Sequence, residues 1–197
     1  MTPSQELRQQ FGEIDIYLFD QLARGRFDAR QVVLDAGCGG GRNLPFLRAR
    51  GFDVHAIDSD PQAVAAVDRR FPGIDARRGD LDALPWDADS MDAVIASAVL
   101  HFARDEAHFV AMLTELWRVL RPEGLFFARL ASSIGIEPLL GSHTTGRLRL
   151  PDGSTRFVVD QAMLLDLTKQ LGGTLLDPLK TTNVQNQRAM TTWVMEK

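Results

Sequence analysis

The chain has 197 residues, 45% of them hydrophobic and 24% charged, which fits a folded, water-soluble domain with one sizeable core and excludes a disordered or fibrous chain. With 22 basic against 26 acidic residues the formal net charge is −4, so a partner held by bulk electrostatics as a polyanion, nucleic acid above all, is not expected. No stretch is long and apolar enough to span a bilayer, and the start, Met1 to Glu6, lacks a basic then apolar leader. The expectation is a single domain over residues 1–197, cytoplasmic, without a membrane partner, monomeric or homodimeric. The one cysteine, Cys38, can close no disulfide within the chain.

In chain order, Phe11, Ile14, Ile16, Tyr17, Phe19, Leu22 and Phe27 recur at roughly helical spacing and predict one or two helices before the first strand. Val32-Val33-Leu34-Asp35-Ala36 is a short apolar run ending at an acid, followed by Gly37-Cys38-Gly39-Gly40-Gly41. It reads as a buried strand entering a tight turn whose backbone can approach a ligand closely. Arg42 stands where the dinucleotide fingerprint needs its third glycine, and no Gly-Lys-Ser/Thr follows for a P-loop. The remaining pattern, acid-x-Gly-x-Gly-x-Gly, resembles the first motif of class I S-adenosylmethionine (SAM) dependent methyltransferases.

The resemblance implies that Asp35, Gly37, Gly39 and Gly41, with Asn43 at the start of the next helix, hold the methionine part of SAM. It also implies that residues 1–30 form a helical lid over the SAM pocket, making Phe11, Tyr17 and Phe19 candidate lid or acceptor contacts, against the alternative that they simply pack on the sheet. Asn43 to Arg50 predicts a helix closed by Gly51, and Asp53 to Asp58 a second strand ending at an acid. Asp58 lies 21 residues beyond Gly37, where a βαβ unit sets a carboxylate beside a ribose, and a carboxylate can accept from both hydroxyls of a cis-diol. The competing role, capping the helix that begins at Pro61, suits Asp60 better. Ser59 joins Asp58 as a cofactor-binding candidate.

A helix over 61–70 leads to a third strand near 74–78. After it, Asp80 and Leu81 match the positions at which the resembled family holds adenine. The fourth strand, 93–96, runs into Ser97-Ala98-Val99-Leu100-His101-Phe102, a loop that the fold turns toward the ligand crevice and that resembles the Val-Leu-His element of small-molecule methyltransferases. Ser97, His101 and Phe102 are therefore expected near sulfur and acceptor. His101 reads as a general base or as a structural histidine.

Residues 105–120 predict an amphipathic helix and 125–130 a fifth strand; in the Arg121-Pro122-Glu123-Gly124 turn between them, Glu123 replaces the family's usual glycine. Residues 132–160 read as an insertion over the active site, with Pro151-Asp152-Gly153 as a hairpin turn and His143, Arg147 and Arg149 as candidate substrate contacts. A helix over 161–170 precedes two closing strands, 174–179 and 188–195, joined by a connection over 180–187. The alternation predicts a doubly wound α/β sheet with helices on both faces, and the resemblance specifies seven strands in the order 3-2-1-4-5-7-6 with strand 7 antiparallel.

The histidines at 55, 101, 108 and 143 share no metal-ligand spacing with Cys38 or each other, so no metal is expected. The function expected is methyl transfer from SAM to a small-molecule acceptor, giving S-adenosylhomocysteine (SAH), by in-line displacement governed by orientation. An inorganic oxyanion is one possible acceptor. The rivals are a SAM-binding partner protein without catalysis and a nicotinamide oxidoreductase, which Arg42 disfavours.

Overall fold

The computed structural model describes residues 1–141 and 143–197. The alternating segments fold as a mixed sheet built from β1 (Val32–Ala36), β2 (Asp53–Asp58), β3 (Asp75–Arg78), β4 (Met91–Ser97), β5 (Leu120–Ser132), β8 (Thr174–Leu175), β9 (Lys180–Val184) and β10 (Arg188–Glu196); β6 (Gly146–Arg149) and β7 (Thr155–Val158) pair separately as a hairpin. The order is β3-β2-β1-β4-β5-β10-β8, parallel through β5, with β10 antiparallel to β5. Among the described residues six α-helices accompany it: α1 (Pro3–Phe11), α2 (Ile16–Ala23), α3 (Leu44–Ala49), α4 (Pro61–Arg70), α5 (Glu106–Val119) and α6 (Gln161–Gln170). The period of two along each strand divides the core between the two faces. Leu34, Val94, Phe126 and Trp193 meet α5 and α6, whereas Val33, Ala93, Ile95 and Phe127 meet α2, α3 and α4. Carboxyl ends of β1, β2 and β4 thus form one edge, where this architecture opens its ligand crevice.

The strand order agrees with the expected one, but the closing segment differs in detail. The predicted sixth strand reduces to two residues of β8, and the segment expected as a connection is β9, a third antiparallel neighbour of β10 besides β5 and β8, from Arg188↔Val184 to Thr192↔Lys180. Its polar run Lys180-Thr181-Thr182-Asn183 conceals the strand, because an edge strand needs no apolar alternation and threonine fits a pleated surface. Gln185 and Asn186, both at positive φ (50° and 59°), lie in the three-residue hairpin loop 185–187. Glu123 adopts φ 63°, so its place in a glycine's position carries left-handed strain rather than being neutral.

Of the residues expected in an N-terminal lid, Phe11 does not reach the crevice. Phe11 packs edge-on to Phe19 and stacks on Phe46, beside a hollow of about 550 Å³ that Gln31 and Phe52 also line. Those two residues precede β1 and β2, which puts Phe11 at the amino ends of the strands, away from the crevice. Within residues 132–160 the turn signal Pro151-Asp152-Gly153 does join a hairpin, β6–β7, and Leu150 and Val158 seat it on Ala131 of β5 and Met190 of β10.

Candidate functional site

At the end of β1 the Gly37 amide donates to the Ile57 carbonyl at 2.8 Å, tying the turn to β2. Gly37 has φ 70°, and a Cβ there would stand 2.2 Å from Val99 Cγ2, so the chain leaving β4 closes against it and only glycine fits. Gly39, at φ 51°, is the opposite case: a Cβ would meet nothing within 4 Å. Asp58 holds this part of the turn, its carboxylate accepting from the Gly39 amide at 2.8 Å and the Asp60 amide at 2.9 Å. The open space beside Gly39 is a cleft of about 440 Å³. Gly37, Gly39, Asp58 and Ser59 wall one part; Gly79, Asp80 and Leu81 another; Ala98, Val99 and Phe102 close a third, with His108 and Met112 from α5. His108 Nδ1 accepts from the Arg104 amide at 3.1 Å.

Three residues expected at the cofactor are turned away from the cleft. Asp35 shares the Val33 face of β1 and is buried; the Asn43 amide donates to both its oxygens at 3.3 Å. Desolvation pushes the Asp35 carboxyl up to about 7, against the lowering effect of Asn43 and Arg42. Asn43 also accepts from the Asp15 amide at 3.1 Å. Ser97 donates to Asp15 at 2.9 Å, and Arg42 reaches both Asp15 (2.8 Å) and Ser97 (2.6 Å). This buried network behind the turn fastens the link between α1 and α2 to the carboxyl ends of β1 and β4. The spacing of Asp35, Asn43 and Ser97 fits a ligand role, but strand alternation directs Asp35 and Ser97 to the face covered by α2 and α3, where Asn43, just before α3, meets Asp35.

A second cavity, about 260 Å³, adjoins the cleft through Ala98 and Phe102. Ala98 is a non-glycine residue at φ 64°, with its amide donating to the Arg129 carbonyl at 2.7 Å. His101, from the 3₁₀ turn Leu100–Phe102, lines the cavity with Arg129 of β5, Arg156 of β7, Arg188 of β10, and Asp152 and Ser154 of the hairpin turn. His101 is 5% exposed and its Nδ1 has no partner; burial first, then Arg156, Arg129 and Arg188, lowers it from 6.5 to about 4. Lowered to about 4, the imidazole is a weak base near pH 7, which disfavours the general-base reading. Phe102, large yet 55% exposed, lies between the cavities with the Arg156 guanidinium 4.9 Å above its ring.

The remaining substrate candidates lie outside both spaces. Tyr17 stands beside them: Arg129 lies over its ring at 4.8 Å and its hydroxyl meets Thr182 Oγ1 at 2.5 Å. Arg147 donates to the Ala103 carbonyl at 3.0 Å and pins the hairpin to the 3₁₀ turn, while His143 and Arg149 are exposed. Sequence reasoning missed Asp15, Arg42, Ala98, Arg129, Arg156 and Arg188. Arg129 did carry a signal, a lone charge inside the apolar run Leu125 to Ala131. Among the described residues no three His, Cys, Asp or Glu side chains are grouped to hold a metal ion, and no helix is long and apolar enough to cross a membrane.

Residues 34–128 match the family model described as a methyltransferase domain. A probable SAM-dependent methyltransferase of Mycolicibacterium smegmatis is 37% identical over 110 residues, covering 56% of this chain and 42% of the relative. The chain spans about half the length, or less, of the curated relatives it matches. Among solved structures, a SAM-dependent methyltransferase of Methanosarcina mazei superposes with TM-score 0.71 at 17% identity, over 89% of this chain and 96% of that one. A Burkholderia thailandensis 1,6-didemethyltoxoflavin-N1-methyltransferase, bound to 1,6-didemethyltoxoflavin and SAH, gives TM-score 0.71 at 17% identity, over 98% and 82%. At these identities the likeness to solved structures is one of fold.

Proposed function

We propose, from the premise that residues 34–128 form a class I SAM-dependent methyltransferase domain, that this protein transfers a methyl group from SAM to a small-molecule acceptor. The observation that carries the reading is the cleft beside Gly39, open where a side chain would stand and furnished with one carboxylate at Asp58 and another at Asp80. Asp58 would accept from the ribose hydroxyls, and Asp80 with the Leu81 backbone would hold adenine. The glycine turn would take the amino-acid end.

SAM bound there supplies a methyl group already activated on a sulfonium. What the chain adds is position: the cleft holds the donor, the cavity beyond Ala98 and Phe102 holds the acceptor, and the hairpin of the 132–160 insertion keeps water out. Such alignment contributes on the order of 7 to 11 kcal/mol in favourable cases. Displacement at a sulfonium carbon requires no metal, and His101, a weak base, would orient the acceptor rather than remove a proton from it. On this reading residues 1–197 act as one unit, cytoplasmic, monomeric or homodimeric, without nucleic acid or membrane as partner.

Calorimetry with SAM, SAH and NADH tests the donor assignment. SAM and SAH should bind, and Asp58→Ala should weaken them by about 1 to 3 kcal/mol through lost charged hydrogen bonds. Binding of NADH in place of both rejects the reading in favour of an oxidoreductase. Release of SAH in the presence of a metabolite panel separates an enzyme from a SAM-binding partner protein.

A further inference from the structure

The cavity next to the cleft holds more positive charge than its own acids neutralise. Three guanidinium groups, those of Arg129, Arg156 and Arg188, line about 260 Å³ with a single carboxylate, Asp152. That carboxylate is largely engaged elsewhere: the Ser154 amide and hydroxyl donate to it at 2.9 and 2.6 Å, and Arg188 comes no nearer than 3.7 Å. Arg156 lies over the Phe102 ring and donates to the Thr155 carbonyl at 2.9 Å, an arrangement that leaves its charge without a carboxylate. Arg129 stands 3.6 Å from Asp15, whose same oxygen already takes Arg42 and Ser97, and the Arg129 Nε is buried with no partner. The unpartnered Nδ1 of buried His101 belongs to the same wall.

Like charges gathered around a small, partly desolvated space repel one another, and a fork of N–H donors matches a carboxylate in geometry as well as in sign. We propose, resting on the methyltransferase reading, that this cavity is the acceptor subsite and that the acceptor is a small organic acid whose carboxylate is engaged by Arg129, Arg156 and Arg188. The three arginines come from β5, β7 and β10, so the recognition depends on the hairpin being folded against the sheet. A neutral His101 suits this role, since an imidazole can donate to an anion without adding a fourth charge.

The test is calorimetry on the full chain saturated with SAH, titrated with succinate, fumarate and citrate, with succinamide as the neutral counterpart and 1,4-diaminobutane as the cationic one. At least one acid should bind, at least tenfold more tightly than the amide, and the diamine should not bind. Arg188→Gln, at an exposed side chain outside the SAM cleft, should weaken the acid at least tenfold and leave SAH affinity unchanged. Acids that bind no better than the amide, or that are unaffected by Arg188→Gln, overturn the inference. If SAH binds and no acid does, the acceptor assignment falls alone; if SAH itself fails to bind, the methyltransferase reading falls and takes the assignment with it.

Discussion

His101→Gln should remove a block of acid sensitivity from the folding equilibrium. The imidazole, 5% exposed and walled by Arg156, Arg129 and Arg188, binds its proton only near pH 4 in the folded chain, against 6.5 in the unfolded one. A base depressed in this way leaves stability whole above pH 6.5 and erodes it as pH falls toward 4, because the unfolded chain takes up a proton that the folded chain refuses. At 1.36 kcal/mol per pKa unit, the gap of about 2.5 units amounts to about 3 kcal/mol. Glutamine is polar and of similar size but does not titrate. Urea unfolding of both proteins from pH 4 to 8 should therefore show the difference between wild type and variant changing by about 3 kcal/mol, the wild type losing ground toward acid. A difference constant across that range would refute the burial argument. The same low pKa predicts no limb near pH 6.5 in a pH–rate profile of methyl transfer, and such a limb would restore His101 as the base.

Asp35→Asn should act in the opposite sense. A carboxyl raised from 3.8 to about 7 costs stability as pH climbs through that window, by up to about 4 kcal/mol, so the asparagine variant should gain on wild type from pH 4 to 7; parallel unfolding curves would refute it. The two glycines of the turn separate packing from ligand access. Gly37→Ala drives a Cβ into Val99 and should destabilise by about 3 kcal/mol or more, whereas Gly39→Ala meets open space and should cost only the left-handed strain, about 1 to 2 kcal/mol, while lowering SAH affinity. Thermal melting and SAH calorimetry check both, and a Gly39→Ala protein that binds SAH normally would remove Gly39 from the cofactor cleft.

What could be read from the sequence was what short spacing governs. Asp58 ends β2 and Asp80 lies just past β3, and a βαβ unit brings such positions to one edge whatever the rest of the chain does. Face was harder to read than position. Asp35 was legible as the acid of the glycine motif, yet it alternates with Leu34 and shares its face with Val33, so its carboxyl enters the helix side, where Asn43 meets it. Edge strand β9 was hidden by its own polarity. The arginine-lined cavity was beyond sequence reasoning for a different reason: its members run from residue 98 to residue 190 and meet only because β10 returns antiparallel to β5 and the hairpin folds back onto both.

Ala98 connects the two halves of this account. It follows Ser97 at the end of β4, lines the cleft and the cavity alike, and holds φ 64°, a conformation that costs an L-residue roughly 1 to 2 kcal/mol. The strain persists because both sides of the residue are fixed: Ser97 is tied to Asp15 and Arg42, and the Ala98 amide is tied to the Arg129 carbonyl. The kink sends Val99 against Gly37, which shapes the cleft, and then turns the chain so that His101 and Phe102 face the arginines. A straight continuation of β4 would do neither. The backbone at Ala98 is thus where a fold able to bind a nucleotide-like donor becomes one that also presents a second, charged space to it.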